Sequence, residues 1–177
     1  EVLEDFLDEV LQKLKEIRDI YQKSNNKKNY LTEIKNITGN AVADDDLIAF
    51  ASLNDKEFLK KIKNTYLSKK KERIDLIGDK ENNDLEKKIF LQIIDFSWRS
   101  HLQYLEQLRQ VIGLRSYGQK DPLSEFKKEA FLLFEGLLEK IKTDIIKFLL
   151  NLNIVISDKN DEKENQTFKS AKKIGRN

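Results

Sequence analysis

The sequence predicts an all-α protein, and three observations carry that expectation. Apolar residues recur at spacings of three and four along most of the chain, as they do on amphipathic helices. Charged residues make up 36% and hydrophobic ones 39%, a mixture that suits long helices bathed in solvent. The residues that punctuate strands and tight turns are scarce, with one Pro and six Gly among 177 residues. That length fits one ordinary domain, or a small domain with an extended helical element, and argues against two globular domains.

The first element is an amphipathic helix. Leu3, Phe6, Leu7, Val10, Leu11, Leu14, Ile17 and Tyr21 form one stripe over about six turns. The polar run Lys23 to Asn29 should break it, because Ser and Asn side chains compete for backbone hydrogen bonds. A weaker helical segment, Tyr30 to Thr38, ends at Gly39-Asn40. The aspartates at 44, 45 and 46 are then expected to cap a short helix carrying Leu47, Ile48 and Phe50. From Asp55 to Arg73 the helical pattern returns through Phe58, Leu59, Ile62, Tyr66 and Leu67, and it becomes strongly basic at Lys69-Lys70-Lys71. Glu72 and Asp75 follow at pairing distance along the helix, so a solvated face is the better reading of those lysines.

Gly78 to Asp84 reads as a hinge or turn, and beyond it two longer and more apolar helices are expected. In the first, Leu91, Ile94, Trp98, His101, Leu102, Leu105, Leu108 and Ile112 share one face. Leu85, Ile89, Ile93 and Phe96 make a second face in its N-terminal half, which should therefore be sandwiched between partners. Gly113, Gly118 and Asp121-Pro122 mark a reversal, with Asp121 suited to cap the next helix and Pro122 to occupy its first turn. Phe126, Ala130, Phe134, Leu137, Ile141, Ile145, Phe148 and Leu152 then align, so the two helices should pair as an antiparallel hairpin. From Ser157 onward the chain is polar, charged and aperiodic, as expected of a flexible tail.

Composition also bounds function. Lys plus Arg at 33 nearly balance Asp plus Glu at 31, so the net charge of +2 offers no general attraction for a polyanion. The absence of Cys excludes a disulfide framework and a Cys-based metal site, in keeping with a reducing compartment. No apolar run approaches the ~20 residues needed to span a bilayer, and the acidic start, Glu1 to Asp8, is unlike a signal peptide. Because it begins at Glu1 and contains no Met, the sequence reads as a piece of a longer polypeptide. No stretch has the G-x-x-x-x-G-K-[ST] spacing that would cradle phosphates.

One set of motifs is specific. Trp98-Arg99-Ser100-His101-Leu102 is followed by Leu108-Arg109-Gln110, Leu114-Arg115, Tyr117-Gly118-Gln119-Lys120-Asp121-Pro122 and Phe126-Lys127-Lys128-Glu129-Ala130-Phe131. In order and spacing this resembles the SecA family of preprotein-translocation motors, most strongly over residues 85–152. One departure is Val111, where the family often has Gly directly after the Leu-Arg-Gln triplet. The resemblance implies a helical wing over 1–80, a helical scaffold and two-helix finger over 81–154 with its tip near 114–121, and a flexible linker over 155–177. It also implies partners: the SecYEG channel, an unfolded preprotein and the remainder of the motor, at the cytoplasmic face of the bacterial plasma membrane. ATP and Mg would be held upstream, leaving this piece without a cofactor. A zinc tail, if the parent has one, would follow Asn177, after the basic lead-in Lys172-Lys173-Ile174-Gly175-Arg176-Asn177.

The candidate substrate-contacting residues lie at the tip: Tyr117, Arg115, Lys120 and Gln119. An aromatic ring on a polar loop offers a large, sequence-tolerant contact for an unfolded chain, and the resemblance places a substrate-contacting side chain at Tyr117. The other reading of Tyr117 is that it folds back to pack the loop. Arg109, Arg115 and Lys120 bring positive charge toward the tip. Trp98, His101, Leu105, Asp121, Pro122, Phe126 and Phe131 are expected to be structural, with Trp98 a core anchor and His101, the single His, needing a hydrogen-bond partner if buried. Ile94 and Ile145 should rigidify the hairpin root, each losing about 2 to 5 kcal/mol on truncation to Ala if fully buried. The basic tail residues Lys172, Lys173 and Arg176 could meet an anionic membrane surface, although Asp158, Asp161, Glu162 and Glu164 dilute them. Two other function classes compete: a free-standing helical adaptor binding a partner helix, and nucleic-acid binding through Lys69 to Arg73, which near-neutral charge opposes.

Overall fold

A computed structural model describes residues 2–114 and 121–155. Among them there are six α-helices and no strand: α1 (Val2–Ser24), α2 (Lys27–Thr38), α3 (Asp44–Ala51), α4 (Asp55–Ile77), α5 (Asp79–Ile112) and α6 (Pro122–Asn151). Helices α1 to α4 form a small body around Leu7, Leu14, Tyr30, Ile34, Leu47, Phe58 and Ile62, each almost wholly buried. The same apolar cluster continues into Ile89 of α5 and into Ile141, Ile145, Ile146, Leu149 and Leu150 of α6. The base of the long helices is therefore built into the core of the body.

Helices α5 and α6 run antiparallel. Ile89 and Phe148 share one groove wall, Ser97 lies near Leu137 and Lys140, and the rings of His101 and Phe134 approach to 6.1 Å. Away from the body their burial fades, with Leu108 and Ile112 as the last buried positions on α5 and Leu137 the first on α6. The apolar cluster does not follow them outward. This is a hairpin that projects from a packed root.

Four expectations from the sequence are corrected. The break after α1 is confined to Asn25 and Asn26, because the Asn26 side chain accepts from Asn29 N at 3.1 Å and starts α2 at Lys27. The aspartates at 44 to 46 do not cap α3. Its N-cap is Ala43, without a side-chain bond, and the three acids stand in the first turn, where Asp44 pairs with Lys35 and negative charge suits the helix dipole. The supposed hinge at 78–84 is the single residue Gly78, with α4 reaching Ile77 and α5 starting at Asp79. Finally, the covered seam of α5 takes members from both expected apolar faces and leaves Leu91, Phe96, Trp98 and Leu102 outside it.

The seam of α5 runs through Asn82, Glu86, Ile89, Ser97, His101, Leu108 and Ile112, with Ile93 and Leu105 half-buried beside it. Leu91, Trp98, Leu102 and Phe96 face outward, so the N-terminal half is covered on one side and not sandwiched among the described residues. The small Ser97 and the polar pair Asn82 and Glu86 lie between the two apolar faces, in the seam that α4 and α6 approach.

Candidate functional site

The hairpin is held at its root by two polar devices. In the first, Arg73 of α4 is fully buried and reaches across two helices. Its Nε donates to Asn82 Oδ1 at 3.1 Å, Nη2 donates to Glu86 Oε1 at 2.9 Å, and Nη1 donates to the Leu149 carbonyl at 2.8 Å in the last turn of α6. Glu86 is only 4% exposed and is also approached by Lys70 at 3.4 Å. Nearby, burial and then the Glu86 charge push the Tyr66 phenol up to about 12. In the second device, Asn151 donates to Thr38 O at 2.8 Å and Lys147 O at 2.7 Å and accepts from Asn40 N at 2.9 Å, so that one side chain satisfies a C-terminal carbonyl of α2 and one of α6 and ties the two helix ends together. Gly39, at φ +64, lets the backbone come this close, since a Cβ there would lie 2.4 Å from Asn151 Nδ2.

These devices were missed from the sequence, but a signal was present. On α4 the buried stripe Phe58, Ile62, Tyr66 continues in helical register to Arg73, and on α1 Leu7, Leu11, Leu14 continues to Arg18. A charged residue in register with an apolar stripe marks a buried ion that must be paired. Arg18 meets Asp55 and Asp19 and donates to Leu53 O at 3.3 Å.

Toward the tip, Asp121 accepts from Ser124 N at 2.8 Å and Ser124 Oγ at 2.6 Å, capping α6 with Pro122 in its first turn. Those bonds, the side-chain one first, hold the Asp121 carboxyl below the usual carboxylate range. Arg109 is exposed and paired with Glu106 at 2.9 Å, and Gln110 donates to the same carboxylate at 3.3 Å. Arg115, Tyr117, Gln119 and Lys120 lie outside the described residues.

The remaining candidates divide by burial. His101 is buried, with its ring 5.6 Å from Trp98, but it makes no hydrogen bond among the described residues. Trp98 is 45% exposed and so is not the core anchor the sequence suggested. It lies with Leu91 and Leu102 on the uncovered edge of its stripe, while His101, Leu108 and Ile112 of that stripe are buried. Phe131 is likewise exposed, whereas Leu105, Phe126 and Pro122 are half-buried. Of the two root isoleucines, Ile145 is fully buried and Ile94 only partly. A cavity of about 460 Å³ opens beside His101, walled by Phe96, Leu132, Leu133 and Leu137. No group of three or more metal-ligating side chains occurs among the described residues, and no described helix is long and apolar enough to cross a membrane.

The family described as the SecA Wing and Scaffold domain matches residues 1–153. Among curated proteins, the protein translocase subunit SecA of Pelagibacter ubique is 45% identical over 152 residues, covering 86% of this chain and 18% of that protein. The protein of the same name from Caulobacter vibrioides is 38% identical over 129 residues, covering 72% of this chain and 14% of its own length. That from Campylobacter lari is 49% identical over 82 residues, or 46% of this chain and 10% of its own. The chain thus spans less than a fifth of the length of these relatives. No solved structure matches it significantly.

Proposed function

Since the chain belongs to the SecA wing and scaffold family, we propose that it is the non-catalytic mechanical part of a preprotein-translocating motor. The α5–α6 hairpin acts as a finger whose tip, with Tyr117, Arg115, Gln119 and Lys120, engages an unfolded preprotein at the mouth of the SecYEG channel. ATP and Mg are held by the rest of the motor, and movements generated there reach the preprotein through the hairpin. The chain works at the cytoplasmic face of the bacterial plasma membrane, with any anionic-lipid contact made by its basic tail, and it binds no nucleic acid.

One observation carries this reading. The hairpin root shares the core of the wing, while its outer half has little apolar cover, the shape expected of a lever clamped at one end. A lever must resist bending, and close packing at Ile141, Ile145 and Leu149 supplies that resistance. Tyr117→Ala in the full-length motor should impair translocation while leaving helix content unchanged. Translocation at the original rate in that variant would sink the proposal.

A second reading is favoured by the exposed apolar residues Leu91, Trp98, Leu102 and Phe131. A surface of this kind also suits a helical adaptor that binds a partner helix. The adaptor reading predicts that the chain binds its partner with no motor attached.

A further inference from the structure

The elbow between α4 and α5 is one residue long. Gly78 N donates to Ile74 O at 2.8 Å, and Asn82 N donates to Gly78 O at 3.0 Å, so one helix ends and the next begins on the same residue. At φ +91, Gly78 has wide backbone freedom and cannot by itself set the angle between the helices. Something else must set it, and the side chain placed to do so is Arg73, little more than one turn before the elbow.

The guanidinium is planar, and its donors point in fixed directions. Here one donor is taken by each of Asn82 and Glu86 in the first two turns of α5, and a third by the Leu149 carbonyl at the end of α6. Asn82 and Glu86 are four residues apart on one face, so the fork grips α5 along its axis as well as across it. The contact with Leu149 satisfies a carbonyl in the last turn of α6 and puts positive charge at the negative end of that helix. Arg73, Asn82 and Glu86 are each at most 4% exposed, which keeps solvent from loosening the bonds. Apolar side chains of similar size could fill this space with equal or better stability. They would not impose a single arrangement of three helices.

We infer that Arg73 is a positioning residue that closes the α4–α5 elbow and fastens the end of α6 to it, so that the finger turns together with the wing and not about Gly78. The inference rests on the lever reading above, because only a lever needs a fixed elbow. It adds a location for stiffness. The rigid unit extends across the boundary drawn near residue 80, and flexing must occur elsewhere.

The test uses the full-length protein carrying this chain, with spin labels on Lys60→Cys of α4 and Gln107→Cys of α5, both exposed positions. Distances are compared with Arg73 present, in Arg73→Lys, and in the apolar replacement Arg73→Met with Asn82→Leu and Glu86→Leu. Lysine keeps the charge without the fork, and the apolar set is expected to keep the thermal midpoint near the original. The expected result is one narrow distance distribution with Arg73, a broadened one in both variants, and a severalfold loss of residues translocated per ATP hydrolysed. A distribution that stays narrow without the guanidinium overturns the inference, as does a broadened one with undiminished coupling. Unimpaired translocation in Tyr117→Ala would be the separate failure of the lever reading.

Discussion

Asp55 stands where the first turn of α4 meets α1. Its carboxylate receives the Arg18 guanidinium and, on its other oxygen, Lys15 at 3.0 Å. The Arg18 hydrogen bond first, and Lys15 second, hold the Asp55 carboxyl below the usual carboxylate range. With its folded value below its unfolded one, Asp55 contributes stability that is fully present above the ordinary aspartate range, near pH ~4, and lost as pH falls through the lowered folded value. Asp55 is itself more than half exposed, so water weakens the pair. Arg18 is not exposed, and removing the acid leaves a buried guanidinium short of partners. Acid titration followed by circular dichroism should show Asp55→Asn less stable than the parent at neutral pH, with the difference shrinking at pH values below the ordinary aspartate range. A constant gap at every pH would mean that the charge of Asp55 is immaterial.

Helix α6 shows how two glycine positions with opposite surroundings govern one element. Gly136 sits in the helix interior, and a Cβ there meets nothing within 4 Å. Gly136→Ala should therefore stabilise the hairpin by about 0.5–1 kcal/mol through helix propensity. Gly39, which receives the C-terminal end of the same helix, combines φ +64 with a would-be Cβ 2.4 Å from Asn151. Gly39→Ala should lower the melting temperature by straining the backbone and displacing the Asn151 side chain from Thr38 and Asn40. Thermal melts of the two variants should move in opposite directions. A fall for Gly136→Ala would show that the space beside Gly136 does not accept a methyl group.

At the scale of the whole molecule, the large apolar side chains left uncovered lie largely on α5 and α6, among them Leu91, Phe96, Trp98, Leu102, Phe131 and Phe148. An apolar surface of this extent marks a place where further protein packs. Trp98, the one Trp of the chain, reports on it. With Trp98 as the sole Trp of the full-length protein, acrylamide should quench its fluorescence less than in the isolated chain. Equal quenching would mean that this face stays open to water in the parent.

The helices were legible in the sequence because helical periodicity is local. The spacing of Leu7, Leu11 and Leu14, or of Leu137, Ile141 and Ile145, needs no knowledge of the partner, and the Asp121-Pro122 cap joins groups three residues apart. The pairing of α5 with α6 followed from two long stripes joined by a short reversal, and membership in the SecA wing and scaffold family from the ordered motifs between Trp98 and Phe131. The tertiary structure alone decided which face of α5 is covered, and it placed Trp98 outside and Ser97 inside. It alone brought Arg73 to Asn82, Glu86 and Leu149. An apolar stripe shows that a surface can be covered, but what covers it, and which buried charge finds its partners there, depends on segments as far apart as Arg73 and Leu149.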